Sequence, residues 1–287
     1  MHDGNITIEN ITFNNCRNIT NGTISGHGVT GIETLDCAFN FNVDSAGDGF
    51  DMRFTGNSGG IVVEDCDSND GGTFFYTTGL TGRNSINRGQ ITRNKNYVFN
   101  SLNQTEILGV TIFDCVKSAF YGNFTNSTLI DNYVGFTSEV LTQAVCDFNG
   151  SLLTSLISNR IYAASGGDVA MDLDECAGFY IAGNYMDGKK DNNPVIYIHD
   201  SGYTTFLGNE IFQSDGNSGM DGLRFTTSDL NIVIGNIIFG SSAGTAYGVN
   251  ITNIDCDLGV LVGNFLQANT SDYNDGSGGD WIIANNL

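Results

Sequence analysis

Proline is almost missing from this sequence: Pro194 is the single one in 287 residues. Glycine is abundant at 38, yet collagen is excluded, because its triple helix needs proline as well as glycine at every third position. Basic residues are the next scarcity. Lys and Arg total 11 against 32 acids, for a net charge of −21. The chain is acidic because bases are few, and Asn, Ser, Thr and Gly supply the polar surface. A duplex nucleic acid or an anionic bilayer needs a basic face, so neither is an expected partner. An acidic polysaccharide would need a cation or a local basic patch to approach. Charged residues are only 15% of the chain, which excludes coiled coils and long solvated helices. No apolar run is long enough to cross a bilayer, so no insertion of a spanning helix into a membrane is expected. Met1-His2-Asp3-Gly4 does not read as the start of a signal peptide, since no basic and apolar leader follows. The 7 cysteines are scattered without a Cys-x-x-Cys pair, and the 3 histidines (His2, His27, His199) do not cluster with them. The cysteines read as small buried hydrophobes.

What is present is a repeat. An apolar-Gly-Asn-apolar phrase recurs at Asn184, Asn209, Asn236 and Asn264, with looser copies at Asn132, Asn159 and Asn285. Successive spacings from Asn132 are 27, 25, 25, 27, 28 and 21. A second phrase ends in cysteine at Cys16, Cys37, Cys66 and Cys115, with spacings of 21, 29 and 49, the last read as two periods. Each period holds short alternating runs rich in Val, Ile, Phe and Tyr, such as ITIENITF and VIYIH, separated by Gly, Asn, Asp and Ser. That pattern predicts strands and turns, with no helix. Coils of about three strands would stack at ~4.8 Å. The recurring Asn would take left-handed turn geometry and hydrogen-bond to its copies above and below. Cysteines at one repeated site would form a comparable buried column.

The phrases ITIENITF, FLGNEIF and VIGNIIF resemble the coils of right-handed parallel β-helix proteins, the group of pectin lyases, polygalacturonases, alginate epimerases and phage tailspikes. The resemblance implies an all-β solenoid of roughly 11 coils, each of about 25 residues. It implies one domain over residues 1–287. Such helices usually begin with a capping helix. Here ITIENITF starts at residue 6 and the chain stops in WIIANNL. The expectation is a piece of a longer chain, or ends covered by partners, because open coil ends expose unpaired backbone.

The repeat also predicts a site. A dozen places before Asn159, Asn184, Asn209 and Asn236 stand Asp147, Asp172, Tyr197 and Arg224. Met171 and Leu173, Ile196 and Ile198, Leu223 and Phe225 are apolar and should face inward, so their neighbours face out. Two places on, Asn149, Asp174, His199 and Thr226 form a parallel outward column. Asp147, Asp172, Asp174, Tyr197, His199 and Arg224 should therefore share one face of four coils. Paired carboxylates suit glycoside hydrolysis. Tyr, His and Arg beside a carboxylate suit proton abstraction next to a uronate carboxyl group. Arg224 is expected to hold the nearer carboxylate ionised, leaving the other as an acid.

Other signals are weaker. Gly26-His27-Gly28 matches a polygalacturonase motif whose companion motifs are absent here. Asp48, Asp51 and Arg53 form an acid–base cluster that reads as surface. No cofactor is required, but Asp65–Gly71 and Asp272–Gly276 have the oxygen-ligand density of calcium loops without EF-hand spacing. Arg83, Arg88, Arg93 and Lys95 form a basic patch that could meet an anionic sugar or an acidic subunit. The leading functional expectation is a tailspike- or fibre-like module, on a virion or outside the cell. It would bind a cell-surface polysaccharide, with depolymerisation as the enzymatic version. The tailspike resemblance implies a homotrimer or a larger assembly. A free polysaccharide lyase, epimerase or hydrolase, and a structural or adhesive solenoid, stand beside it.

Overall fold

The structure, a computed structural model, describes residues 6–14, 22–40, 49–56, 58–78, 82–135, 144–163, 169–188, 193–213, 219–242, 244–268 and 270–287. Among these every regular element is a strand. The strands form three parallel sheets of 12, 11 and 11 strands. Each coil gives one strand to each sheet in turn, as Ser155–Ile157, Arg160–Tyr162 and Met171–Asp174 do for the first, second and third sheets. The result is a right-handed parallel β-helix, the hand that twisted strands impose on parallel connections.

Alternation decides what fills the tube. In the third sheet Met171, Ile196 and Leu223 face inward and stack in register, as do Leu173, Ile198 and Phe225. All six are fully buried. Each such side chain contributes ~1.5–3 kcal/mol on burial, and the rigid tube fixes where their outward neighbours point.

The corner between the first and second sheets carries the asparagine column. Each backbone N–H of Asn159, Asn184, Asn209 and Asn236 donates to the side-chain oxygen of the next Asn, at 2.8, 3.0, 2.8 and 2.9 Å. Their side-chain amides donate to the same oxygens at 2.9–3.0 Å. The predicted ladder is present, with two differences. The left-handed residue is the one before each Asn: Gly183, Gly208, Gly235 and Gly263 have φ of 61–66°. That is why glycine precedes these asparagines. The last rung is Asn286 and not Asn285, since Asn264 donates to Asn286, while Asn285, at φ 53°, takes the glycine place.

The cysteine column is corrected as well. Cys37 and Cys66 share the asparagine corner, where Asp67 N–H bonds back to the Cys37 carbonyl. Cys115 follows the second-sheet strand Thr111–Phe113 and sits at the next corner, beside Asn94. The long gap between Cys66 and Cys115 therefore joins two different corners. All six described cysteines are free and buried, and Cys16 lies outside the described residues. Asp51 is not a surface group: it is fully buried and accepts from Ser68 Oγ at 2.6 Å. Its supposed companion Asp48 lies outside the described residues.

Candidate functional site

The third sheet brings the predicted columns together. Asp147, Asp172, Tyr197 and Arg224 are register partners on successive strands, and so are Asn149, Asp174, His199 and Thr226. Asn250 continues the first column. Toward the N-terminus it runs through Tyr121, Asn100, Tyr76 and Arg53. The spacing rule, which began at Asn159, did not reach these.

His199 is the centre of the arrangement. Its Nε2 lies 3.0 Å from Asp172 Oδ1 and its Nδ1 lies 3.1 Å from Asp174 Oδ1. The ring stacks on Tyr197 with centroids 4.6 Å apart. Asn149 donates its amide to Asp174 Oδ2 at 2.7 Å, which holds that carboxylate in place. A neutral imidazole has one N–H and one lone pair. It cannot satisfy two ionised carboxylates at its two nitrogens. The Nε2 contact with Asp172 is a hydrogen bond, and the Nδ1 approach to Asp174 becomes an ion pair when the ring is protonated. Burial pushes the Asp172 carboxyl up to about 6; His199 opposes that rise, and the charges of Asp147 and Asp174 reinforce it. The Asp172 carboxyl is thus placed to exchange a proton close to neutral pH, as general acid–base chemistry requires.

Arg224 does not do what the sequence suggested. Its Nε donates to Asp221 Oδ2 at 2.7 Å, and not to Asp172 or Asp174. Asp221 is buried and also accepts from Tyr247 N at 2.9 Å and Asn250 Nδ2 at 2.8 Å. The carboxylates are held by His199 instead. Asp221 precedes its strand, where alternation has no reach, so the repeat held no signal for it. Its role is to fix the guanidinium on the outer face beside Tyr197.

Asp174, His199 and Asp200 each bring one ligand atom within 4.8 Å of the others, the one such group among the described residues. The two calcium-like stretches are arranged differently. Asp65 and Asp70 lie on the corners of one coil, and Arg88 and Arg93 on those of the next. Arg88 pairs with Asp65 at 2.7 Å and also with Glu64; Arg93 pairs with Asp70 at 2.8 Å. These guanidiniums hold both aspartates below the usual carboxylate range. Lys95 also reaches Asp70, at 3.8 Å, so three members of the basic patch meet acids of their own chain. Asp272, Asn274 and Asp275 belong to the strand Ser271–Asp275 and not to a loop. His27 lies on the third-sheet face, its Nδ1 3.0 Å from Thr55 Oγ1, far from His199 along the tube.

No family model matches the chain, and no curated protein sequence matches it. Solved structures do. The A-module of a mannuronan C-5 epimerase from Azotobacter vinelandii superimposes with a TM-score of 0.65 at 12% identity, covering 96% of this chain and 80% of that one. A mutant of a periplasmic alginate epimerase gives 0.63 at 12% identity, covering 90% and 70%. A protein of Geobacillus virus E2 gives 0.58 at 14% identity, covering 90% of this chain and 52% of that one. What is shared at these identities is the fold.

Proposed function

We propose that this chain binds a polysaccharide along the outer face of its third sheet and carries an acid–base site for uronate sugars there. The observation that carries the reading is the His199 ring, held between Asp172 and Asp174 and stacked on Tyr197. A C–H beside a uronate carboxylate is acidic enough to remove only when that carboxylate is neutralised. Arg224, aimed by Asp221, would bind it. Tyr197 or His199 would take the C5 proton. A proton returned to the opposite face of C5 from solvent, since the two rings stack on one side, gives the epimer. Loss of the C4 oxygen, with the proton delivered to that leaving group, gives an unsaturated uronate. Hydrolysis fits less well, because both carboxylates are already engaged by one imidazole. Two of the structures sharing this fold carry epimerase names, which agrees with the reading.

The test is incubation with mannuronate and galacturonate polymers, reading C5 inversion by proton NMR and unsaturated product by ultraviolet absorbance. His199→Ala and Tyr197→Phe should each lower the rate ~10²-fold or more. An inert parent protein, or variants at the parental rate, would remove the reading.

For the place of action we propose a virion or the cell exterior. The shared fold of a viral protein and the Asn/Gly/Ser/Thr-rich surface with few bases support it. For the assembly we propose a homotrimer or attachment to further polypeptide. Along the first sheet the outward positions from Thr128 to Ala284 bear no charge in a chain of net −21, and Leu207, Ile232, Ile234 and Ile282 are exposed there. A stable 30.7 kDa monomer in light scattering would count against it.

A further inference from the structure

The second sheet carries a feature that the His199 face does not use. Tyr133, Tyr162, Tyr185, Phe212, Phe239 and Phe265 come from six consecutive coils and stand on its outer side. Successive ring centroids are 5.5, 5.1, 5.4, 5.0 and 5.7 Å apart. Phe113 of the coil before packs on Tyr133 at 5.2 Å and extends the stripe, while in still earlier coils the same two outward columns hold Asp67, Asn69, Gln90 and Thr92, the side chains an ordinary solvated face would carry. Cross-strand ring pairs stabilise a sheet by ~0.2–1 kcal/mol each, which does not require six of them in one uninterrupted, partly exposed stripe.

At its tyrosine end the stripe opens into a groove of about 650 Å³, lined by Tyr133, Arg160, Tyr162, Tyr185 and Glu210, with Asp131 also on its wall. That volume lies within the ~300–1,000 Å³ of ordinary ligand sites. Flat apolar rings suit the C–H faces of pyranoses. The phenols, one guanidinium and two carboxylates around them suit sugar hydroxyls. Burial, and then the charge of Asp187, push the Tyr185 phenol above its usual range, so its hydroxyl stays a donor. The rings recur once per coil, ~4.8 Å apart, close to the length of one sugar residue in an extended chain. Charge selects among stacking ligands. Asp131 and Glu210 outnumber Arg160 in the groove. Uronate polymers and single-stranded nucleic acids, which also stack on such rings, are repelled.

We infer that the tyrosine stripe of the second sheet is a binding site for an uncharged glycan chain, separate from the His199 face. It needs no chemistry at His199, so the two readings fail independently.

The experiment uses the full chain and five probes: cello-, malto-, manno- and xylohexaose, with a mannuronate hexamer as the charged comparison. Binding is read by calorimetry and by the tyrosine ring resonances in NMR. At least one neutral hexasaccharide should bind with a Kd below ~1 mM. Tyr162→Ala and Tyr185→Ala should each weaken it tenfold or more. Arg160→Ala, at an exposed side chain where folding is not at stake, should weaken it several-fold. The inference is overturned if no neutral probe binds at ~10 mM, a concentration that detects affinities of only a few kcal/mol. It is equally overturned if the charged hexamer alone binds the stripe, or if Arg160→Ala and both tyrosine variants bind like the parent. Sedimentation showing a self-associated parent and a dissociated Tyr162→Ala/Tyr185→Ala variant would reassign the stripe to a contact between copies.

Discussion

Asn209→Ala removes one rung from the middle of the ladder, and its cost can be worked from the partners. Asn209 is buried at 1% exposure. Its oxygen accepts the backbone N–H of Asn184 and the Asn184 side-chain amide, both at 3.0 Å. Its own amide donates to the Ile181 carbonyl at 2.8 Å and to Asn236 Oδ1 at 2.9 Å. Alanine deletes all four bonds. The Asn184 side-chain amide keeps Leu156 and Ala182 carbonyls as acceptors, but the Asn184 backbone N–H loses its acceptor inside the wall. With ~1–3 kcal/mol for the one buried N–H left unsatisfied and about 1 kcal/mol for each of the two bonds the Asn209 amide itself made, the expected loss is about 3–5 kcal/mol. That is a large share of the ~5–15 kcal/mol stability of a typical domain. Asn286→Ala at the half-buried last rung should cost about 1 kcal/mol, since water can take its place. Asn209→Asp keeps the acceptor but sets a second oxygen against Asn236 Oδ1 and the Ile181 carbonyl. It should match or exceed the alanine cost at pH 8 and recover at low pH, where a protonated carboxyl can donate again. Urea unfolding followed by far-ultraviolet circular dichroism measures all three. A loss under about 1 kcal/mol for Asn209→Ala, or an equal loss for Asn286→Ala, would refute the account of the ladder as a buried hydrogen-bond wire.

Two further outcomes follow from the titrating groups. Asp172 ionises near pH 6 in the fold against 3.8 ordinarily, so the folded chain binds the extra proton and its stability falls as pH rises through that window. Asp172→Asn abolishes this, and its stability relative to the parent should improve by about 3 kcal/mol between pH 3 and pH 8 in urea titrations; a parallel pair of pH curves would contradict the buried-charge reading. Burial pushes the thiols of Cys66, Cys115 and Cys176 up to about 12. At pH 8 the folded protein should react with a disulfide reagent at these positions ~10³-fold more slowly than the urea-unfolded chain, and rapid labelling of all three in the folded state would show that they are not in the wall.

The period was legible because each coil contributes the same backbone turn. Only glycine or a tolerant residue takes the left-handed corner, and a buried amide can both donate and accept along its own column. The near-constant spacing of those amides therefore placed Asp172, Tyr197 and Arg224 in one line, and alternation turned them outward. The same period is an average over three corners of unequal length. It could not show that Cys66 and Cys115 occupy different corners, or that Asn286 and not Asn285 ends the ladder. Nor could it show the stripe, whose rings Tyr133, Tyr162, Tyr185 and Phe212 are unevenly spaced in sequence and alternate between two columns. Sequence position also says nothing of side-chain torsions. That both nitrogens of His199 meet carboxylates, and that Arg224 turns away to Asp221, was decided by how rotamers pack on a finished sheet. Repetition along the chain specified the scaffold and the face. Packing across coils, where residues distant in sequence meet at hydrogen-bond distance, specified which groups share a proton.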